Sequence, residues 1–345
     1  MGTYSAGIVG ATGAVGNEVL KILEEREFPL SRLELFASER SRGRSLEFRR
    51  EKVPVRVLEA SSVPGMDVVF LCAGGTVSKQ YAPHLARHGS LVIDNSSAFR
   101  ADRDIPLVIP EINGNEVIGR KGIVANPNCS TVQLVMAVAP IHLRWGIEQI
   151  YVATYQSVSG TGGRAMEELR HQSQAYLEGR PVERHVYPHQ IAFNLFPHIG
   201  DFDGDGLNVE ERKVVNETRR FLKDDNLPVA ATCVRVPVFR SHSEAVFVVT
   251  KKDTSAAEVT QALRSARGVV LAGSEDERYA TPMLAEGRDE VFVGRVRDTH
   301  PQGRGISMWV VSDNLRKGAA LNAVQIAELA LGVNVPARNR TCCGA

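Results

Sequence analysis

The chain has 345 residues, of which 43% are hydrophobic and 23% are charged, a composition typical of a globular protein of about two domains. Its 41 basic and 40 acidic residues leave a net charge of +1, which excludes a general electrostatic attraction to nucleic acid or anionic membranes. No apolar run approaches the roughly 20 residues that cross a bilayer, and the first residues lack the basic segment of a signal peptide. We therefore expect a cytoplasmic protein.

Neither the cysteines nor the acidic clusters indicate a metal site or a disulfide framework. The five cysteines are odd in number and show no CxxC spacing. The segment DFDGDG at residues 201–206 has the alternating acids of a calcium loop, but the twelfth position from Asp201 is Arg212 instead of a bidentate glutamate. The cysteines are Cys72, Cys129, Cys233, Cys342 and Cys343.

The first third of the chain alternates short apolar runs with segments of helical spacing, as in a doubly wound parallel sheet. The predicted strands are Tyr4–Val9, Leu33–Phe36, Val68–Leu71 and Leu91–Ile93. From about Ile147 the apolar runs become longer and richer in β-branched residues, and helical segments separate them, which indicates a mixed sheet backed by helices. These runs lie at residues 147–156, 229–238, 244–250, 290–296 and 306–313, with helical segments at 210–222 and 255–266.

We therefore predict an α/β protein that combines a Rossmann-like doubly wound parallel sheet with an α+β domain built on a mixed sheet. The predicted nucleotide-binding domain covers residues 1–128, and the second domain covers residues 129–317. A last helical segment is apolar on one face from Gly318 to Leu331, and the C-terminal helix of about residues 318–345 is expected to pack back on the first domain.

The loop GATGAVG follows the first predicted strand and opens a helix. Its small residues Gly10, Gly13 and Gly16 let a helix N-terminus approach a pyrophosphate, where free amides stabilise the anion. The spacing is GxxGxxG instead of GxGxxG, and glycines also mark ordinary tight turns. With a strand before and a helix after it, the loop favours a dinucleotide. Its candidate cofactor-binding residues are Gly10, Thr12, Gly13, Ala14 and Val15.

The residues after the second strand favour NADP over NAD. A carboxylate at a strand end would bind the ribose of NAD, whereas small hydroxyl residues with an arginine suit a 2′-phosphate. Ser38, Arg40 and Ser41 are the candidates, although Glu39 lies among them. A solvated basic turn is the alternative interpretation.

In the segment NPNCST, a serine and a threonine stand directly before a long apolar helical run, which marks a helix start and predicts that Cys129 lies at the positive end of that helix. A thiolate is favoured at that position, so Cys129 is a candidate nucleophile. A buried structural cysteine is the alternative, and it fits Cys72 and Cys233, which lie within apolar strand runs. His242 lies between two apolar runs, where a satisfied core or strand-end histidine is the alternative. It is a candidate acid/base because such work requires an imidazole that is neutral near pH 7. The fork of Arg235 suits a carboxylate, although a structural ion pair is possible.

The motifs GATGAVG, NSSAFR, NPNCST, RVPVFRSH and SDNLRKGAALNAVQIAE together resemble the aspartate-semialdehyde dehydrogenase family over nearly the whole chain. The resemblance implies NADPH-dependent reductive dephosphorylation of L-4-aspartyl phosphate to L-aspartate 4-semialdehyde. The reaction would pass through a cysteine thioester, on the route to lysine, methionine and threonine. It also implies a homodimer formed across the second domain.

The resemblance also assigns roles to individual residues. Cys129 would be the nucleophile and His242 the general acid/base. Glu210 would meet the substrate ammonium, with Glu211 as the alternative in the short ExxK match. The other substrate-binding residues implied are Arg100, Asn128, Gln156, Lys213 and Arg235. Further cofactor-binding residues implied are Ser159, Gly160, Asn314 and Gln325.

Three alternatives and one unassigned segment stay open. N-acetyl-γ-glutamyl-phosphate reductase uses the same chemistry but should have glycine before the cysteine, where this chain has Asn128. A non-catalytic NADP-binding module would need no nucleophile, and a cysteine hydrolase would need no glycine loop. The segment from Tyr176 to Asp205 is too apolar for a free linker, so we expect it to be buried, with a second subunit as the expected covering surface.

Overall fold

The computed structural model describes residues 3–57, 65–272 and 279–333. The chain divides into two compact units, one formed by Met1–Asn126 with the chain from Ala320 onward and the other by Pro127–Ala319. The chain first passes from one unit to the other after Asn126, two residues before the predicted domain boundary at residue 128. Cys342, Cys343 and the end of the predicted last helix lie outside the described residues.

The first unit is a largely parallel sheet with helices on its faces. Its strands are β1 (Tyr4–Val9), β2 (Leu30–Ala37), β3 (Ser45–Phe48), β4 (Glu51–Val57), β5 (Val68–Leu71), β6 (Leu91–Asp94) and β7 (Gly122–Ala125). Its first helices are α1 (Ala14–Glu25), α2 (Gly75–Arg87) and the single turn α3 (Pro110–Asn113). Within the described residues the strand order is β3-β4-β2-β1-β5-β6-β7, and only β3 pairs antiparallel. The predicted Rossmann-like fold is confirmed.

The strand order also shows where a ligand would bind in this unit. Strands β5 and β6 are buried along their whole length, as expected for inner strands of a sheet covered on both faces. The order reverses at β1, which pairs with β2 on one side and β5 on the other. In such sheets ligands bind at the carboxyl ends of the strands beside this point, and the glycine loop begins there, directly after Val9.

The second unit is a mixed sheet, and three of its longer helices pack together on one face. Its strands are β8 (Ile147–Gln156), β9 (Val229–Arg235), β10 (His242–Thr250), β11 (Val269–Leu271), β12 (Val291–Thr299) and β13 (Gly305–Ser312). Its helices are α4 (Cys129–Trp145), α5 (Gly163–Leu177), α6 (Val209–Leu222), α7 (Ala256–Arg264) and the single turn α8 (Pro282–Ala285). Among the described residues the strand order is β11-β12-β13-β10-β8-β9, with antiparallel pairs at the centre. The predicted mixed sheet is confirmed.

The two faces of this second sheet differ. Helix α4 packs on the central strands, with α6 and α7 beside it, and every side chain from Thr131 to Ala139 is buried. On the other face Tyr151 and Tyr155 are exposed and contact the neighbouring strands. The ring centroids of Tyr151 and Phe247 lie 5.7 Å apart, and those of Tyr155 and Trp309 lie 5.6 Å apart. These four residues define an exposed aromatic face, where Trp309 packs at one side against Ala280 and Ala285 of the segment around α8.

The chain returns to the first unit through a π-helical turn at Arg316–Ala320, followed by helix α9 (Leu321–Leu331). Helix α9 packs beside α1, and Arg26 forms an ion pair with Glu328. The α-helix begins at Leu321, later than the predicted Gly318, because the π-helical turn covers the residues before it. It ends at Leu331, where the predicted apolar periodicity also ends, because Gly332 adopts a left-handed φ of +66°.

The segment between α5 and α6 is only partly buried in this chain. Ile191, Ala192 and Phe196 are buried, and Phe196 bridges to the backbone of Arg235. Phe193 and Leu195 are more than half exposed. Asp203 and Asp205, which suggested calcium, both form ion pairs with Arg212.

Among the described helices none is long and apolar enough to cross a membrane.

Candidate active site

Two glycines hold the loop between β1 and α1 close to the sheet. Gly10 has a φ of +87°, and a Cβ on Gly16 would lie 2.2 Å from the Gly10 carbonyl oxygen. A side chain at either position would therefore require the backbone to shift. Gly13 is exposed at the N-terminus of α1, so this loop presents backbone amides and the positive end of the helix dipole. The residues present fit the pyrophosphate of a dinucleotide.

The turn after β2 carries the groups predicted to select the cofactor. Thr12 Oγ1 and Ser41 Oγ lie 3.1 Å apart and join the glycine loop to this turn. Glu39 forms an ion pair with Arg42, with Nε and Oε1 2.5 Å apart. The side chain of Arg40 is exposed and pairs with no acidic group of the described chain. The turn therefore offers a hydroxyl and a guanidinium, while its one carboxylate already has a cationic partner.

Two more predicted residues lie in the first unit. Arg100 donates from Nε to the Asn126 carbonyl at 2.8 Å and from Nη2 to the Asn95 carbonyl at 3.1 Å, which fixes its guanidinium near the ends of β6 and β7. Gln325, on α9, donates to Glu111 Oε1 at 3.3 Å. These bonds orient both side chains before any ligand binds.

In the second unit, Cys129 is the first residue of α4 and is half-buried. The capping residue is Asn128, whose Oδ1 accepts hydrogen bonds from Ser130 N at 3.0 Å and Thr131 N at 3.2 Å. The predicted position of Cys129 at a helix start is therefore present, but the serine and threonine lie inside the first turn and asparagine makes the cap. The helix dipole stabilises a thiolate at this position.

The other described cysteines have different surroundings. Burial, together with the charge of Asp94, raises the pKa of Cys72 to about 12. Burial also raises the pKa of Cys233, which lies within β9. Neither thiol is ionised near neutral pH, so Cys129 is the candidate nucleophile among Cys72, Cys129 and Cys233.

A residue that the sequence did not single out packs directly on the nucleophile. A Cβ on Gly318 would lie 2.9 Å from Cys129 Cβ and 3.2 Å from Cys129 Cα. Gly318 lies in the π-helical turn, a local distortion that often accompanies functional sites. Only glycine therefore fits against the first turn of α4 here, and no local sequence pattern could reveal this contact.

We expect Gly318→Ala to displace Cys129 from the start of α4 and to slow its alkylation by iodoacetamide about 10-fold. The rate is measured on the Cys129 peptide by mass spectrometry. Gly204→Ala is the matched control, because a Cβ there would meet no atom within 4 Å. An unchanged rate in Gly318→Ala would show that the turn moves aside without disturbing the nucleophile.

A buried polar cluster adjoins Asn128. Glu210 Oε1 accepts hydrogen bonds from Asn128 Nδ2 at 2.7 Å and from Gln156 Nε2 at 3.1 Å, and its Oε2 pairs with Lys213 Nζ at 3.0 Å. Burial alone would raise the pKa of Glu210. The charge of Lys213 and the three donors outweigh burial and lower the pKa to about 2, so this carboxylate is charged.

Glu211 has a separate structural role. Its Oε2 accepts from Asn208 N at 2.9 Å, and Asn208 Oδ1 caps α6 in return, which completes a capping box. Its Oε1 accepts from Cys233 N at 2.9 Å. Of the two neighbouring glutamates, Glu210 is therefore the one that contacts the other candidate residues.

His242 is fully buried at the start of β10, and its Nδ1 accepts a hydrogen bond from Ser157 N at 3.1 Å. A backbone amide can only donate, so the neutral ring carries its proton on Nε2. Nε2 has no hydrogen-bond partner in the described chain. Burial and the nearby charge of Arg235 lower the pKa of His242 to about 3, so the imidazole is neutral near pH 7.

Arg235 ends β9, and its side chain is 4% exposed. It donates from Nη1 to the Ser157 carbonyl, and its Cζ lies 5.9 Å from the ring centroid of Tyr187. A Cβ on Gly160 would lie 3.3 Å from both Arg235 Nη1 and His242 Nε2. The guanidinium and the reactive edge of the imidazole therefore face the same glycine.

Asn314 fixes the loop that carries these contacts. Its Oδ1 accepts hydrogen bonds from Ser159 Oγ at 3.0 Å, Ser157 Oγ at 3.2 Å and Ser241 N at 2.9 Å. Ser159 and Asn314, both predicted to bind the cofactor, are thus bonded to each other, and Asn314 also binds the amide of the residue that precedes His242.

The structure divides the predicted residues between the two units. The second unit holds Asn128, Cys129, Gln156, Ser159, Gly160, Glu210, Lys213, Arg235, His242 and Asn314. The first unit holds Gly10, Thr12, Gly13, Ala14, Val15, Ser38, Arg40, Ser41, Arg100 and Gln325. Gly318 is a contact that the sequence did not indicate.

Two family profiles match the chain in this same division. Residues 5–119 match the NAD binding domain of semialdehyde dehydrogenase, and residues 138–317 match the semialdehyde dehydrogenase dimerisation domain. An aspartate-semialdehyde dehydrogenase of Aquifex aeolicus is 50% identical over 331 residues, which cover 94% of this chain and 97% of that protein. The chain belongs to the aspartate-semialdehyde dehydrogenase family.

Other members of the aspartate-semialdehyde dehydrogenase family agree in sequence and structure. The Synechocystis enzyme is 46% identical over 93% of this chain and 96% of its own length. The crystal structure of aspartate semialdehyde dehydrogenase II from Vibrio cholerae superposes with a TM-score of 0.91 at 44% identity, covering 96% of this chain and 99% of that one. A second structure of the Vibrio cholerae enzyme, described as a complex with ASA, gives a TM-score of 0.92.

Proposed function

We propose that this chain is an NADP-dependent aspartate-semialdehyde dehydrogenase that converts L-4-aspartyl phosphate to L-aspartate 4-semialdehyde and phosphate. The observation that carries the proposal is the charged, buried Glu210. It binds Asn128, the residue that caps α4 and precedes Cys129, and it lies in the same unit as the buried Arg235. An aspartyl substrate carries an ammonium and a carboxylate. A protein carboxylate can bind the ammonium, and an arginine guanidinium can bind the substrate carboxylate through two hydrogen bonds. The route to lysine, methionine and threonine is the corresponding pathway.

The same observation disfavours an N-acetylated glutamyl substrate. Acetylation removes the ammonium charge, so a buried carboxylate such as Glu210 would gain no ionic partner from that substrate. The residue before Cys129 is also asparagine, whose side chain both caps α4 and donates to Glu210.

The proposed chemistry begins with the Cys129 thiolate, which attacks the acyl carbon and expels phosphate, leaving a thioester on sulfur. The positive end of α4 stabilises the negative charge that develops on the carbonyl oxygen. The thioester would be reduced by the hydride that NADPH supplies when it is bound. Collapse of the resulting hemithioacetal releases the aldehyde and restores the thiolate of Cys129.

His242 is proposed to manage protons through Nε2. Its Nδ1 is held by the Ser157 amide, so proton exchange with a substrate takes place at the other ring nitrogen. In this tautomer Nε2 already carries the proton, so His242 is proposed to donate it to the carbonyl oxygen of the thioester as hydride arrives and to recover it when the hemithioacetal collapses. Gln156 is proposed to position the acyl group, and Arg100 and Lys213 to bind the phosphate, with Asn128 nearby.

For the cofactor, we propose the glycine loop as the pyrophosphate site and the turn after β2 as the 2′-phosphate site. Arg40 supplies an exposed guanidinium, and Ser38 and Ser41 supply hydroxyl groups. Glu39 has Arg42 as its ionic partner, which reduces its repulsion of an added phosphate.

We also propose a homodimer formed through the exposed aromatic face of the second unit. That face lies within the region that matches the dimerisation domain, and Tyr151 is 48% exposed. A cluster of aromatic side chains on an open sheet is typical of a protein interface. We expect sedimentation equilibrium to give twice the chain mass. Tyr151→Glu should shift the protein toward the monomer with an unchanged circular dichroism spectrum, and a monomeric wild-type protein would contradict the proposal.

The function is tested by following nicotinamide absorbance with purified protein, NADP and phosphate. L-aspartate 4-semialdehyde is compared with N-acetyl-glutamate semialdehyde, and NADP with NAD. We expect turnover of the aspartyl aldehyde alone, faster with NADP, and a smaller NADP preference in Arg40→Ala. Turnover of the acetylated aldehyde would support the proposed mechanism and contradict the proposed aspartyl substrate. Absence of turnover with either aldehyde would favour a binding module.

A further inference from the structure

Helix α6 contacts the nucleophile helix through more than the predicted residues. Glu210, Lys213 and Glu217 follow one another at spacings of three and four residues, so they share one face of α6. Helix α6 packs against α4. Glu217 belongs to no motif that the sequence suggested, and its side chain is buried with a relative exposure of 4%.

Glu217 binds the backbone of the residue that precedes the nucleophile. Its Oε2 accepts a hydrogen bond from Asn128 N at 2.7 Å. Seven residues earlier on the same helix, Glu210 Oε1 accepts from Asn128 Nδ2, also at 2.7 Å. Two carboxylates of α6, about two helical turns apart, therefore hold the main chain and the side chain of one residue.

The remaining polar atoms of Asn128 face α4. Its Oδ1 caps the first turn of the helix, and its carbonyl oxygen accepts from Val132 N at 3.0 Å. The backbone of Asn128 sets the direction in which α4 begins, and Cys129 is the next residue. A bond that fixes the Asn128 amide therefore also fixes the Cα of Cys129 relative to α6.

We infer that Glu217 is a positioning residue for Cys129. By binding the Asn128 amide, it fixes the position of the nucleophile relative to Glu210 and the residues that Glu210 binds. The inference deepens the proposed function, because it concerns the same thiolate. It assigns to Glu217 no contact with substrate. Its effect acts through Asn128, so it should change the reactivity of Cys129 more than the affinity for substrate.

The test compares Glu217→Ala with Glu217→Gln. Alanine removes the acceptor, and we expect kcat to fall about 10-fold to 100-fold with less than about 3-fold change in KM. Alkylation of Cys129 by iodoacetamide, measured across pH on the Cys129 peptide, should slow and move to higher pH. Glutamine keeps an oxygen that can accept from the Asn128 amide, so it should restore most of both rates.

Glu211→Ala is the matched control, because Glu211 is another buried carboxylate of α6 that accepts two backbone amides but does not reach Asn128. It should lower the melting temperature while alkylation of Cys129 stays near the wild-type rate. Wild-type alkylation and kcat in a folded Glu217→Ala protein would overturn the inference. So would equal slowing in both alanine variants. Alkylation needs no substrate, so it remains informative if the proposed activity is not found.

Discussion

Replacing Cys129 with alanine should abolish turnover of L-aspartate 4-semialdehyde, with a fall in kcat of about 10⁴-fold or more. The variant lacks the only described thiol at a helix N-terminus, so no thioester can form, and water cannot substitute for the sulfur in the hydride step. Nicotinamide absorbance measures the rate. Binding of NADP, followed by fluorescence titration, should be retained because the glycine loop lies in the other unit.

Cys233→Ala is the matched control for Cys129→Ala. Cys233 is a buried thiol of the same unit whose pKa is raised by burial, so its loss should leave kcat within a few-fold of wild type. Near-normal turnover in Cys129→Ala would remove the covalent mechanism altogether. Equal loss in both variants would indicate damage to the second unit instead of loss of a nucleophile.

The elements that local patterns determine were predictable from the sequence. Strands β1, β5 and β8 lie at the predicted residues, because unbroken or alternating apolar runs report burial directly. The start of α4 was also predictable from the segment before its apolar run. Strand β9 ends at Arg235 instead of continuing to residue 238, since Val238 N turns back to bond the Val236 carbonyl.

The elements that depend on distant partners were not predicted. The edge hairpin formed by β3 and β4 has polar positions along both strands, so its pattern resembles a loop. Strand β7 has four residues and is defined by its pairing with β6. Gly318 and Glu217 contact the residues around the nucleophile across long stretches of chain, and no spacing in the sequence reports such contacts.

His242→Asn should lower kcat about 10²-fold to 10⁴-fold, with much smaller changes in KM. Asparagine offers an oxygen near the position of Nδ1, so the Ser157 amide can keep an acceptor. The variant has no group at the position of Nε2, so only proton transfer is lost. Steady-state kinetics with the aspartyl aldehyde measure both parameters.

The low pKa of His242 gives this variant a second signature, in stability. Between its ordinary pKa of 6.5 and its folded pKa of about 3, the unfolded chain binds a proton on this imidazole that the folded chain does not. The free energy of unfolding should therefore fall as pH drops through this window, by about 1.4 kcal/mol per pH unit from this group. His242→Asn lacks that contribution, so acidification should destabilise it less than wild type. Urea unfolding at several pH values measures the difference, and parallel pH profiles of the two proteins would show that His242 is protonated in the folded chain.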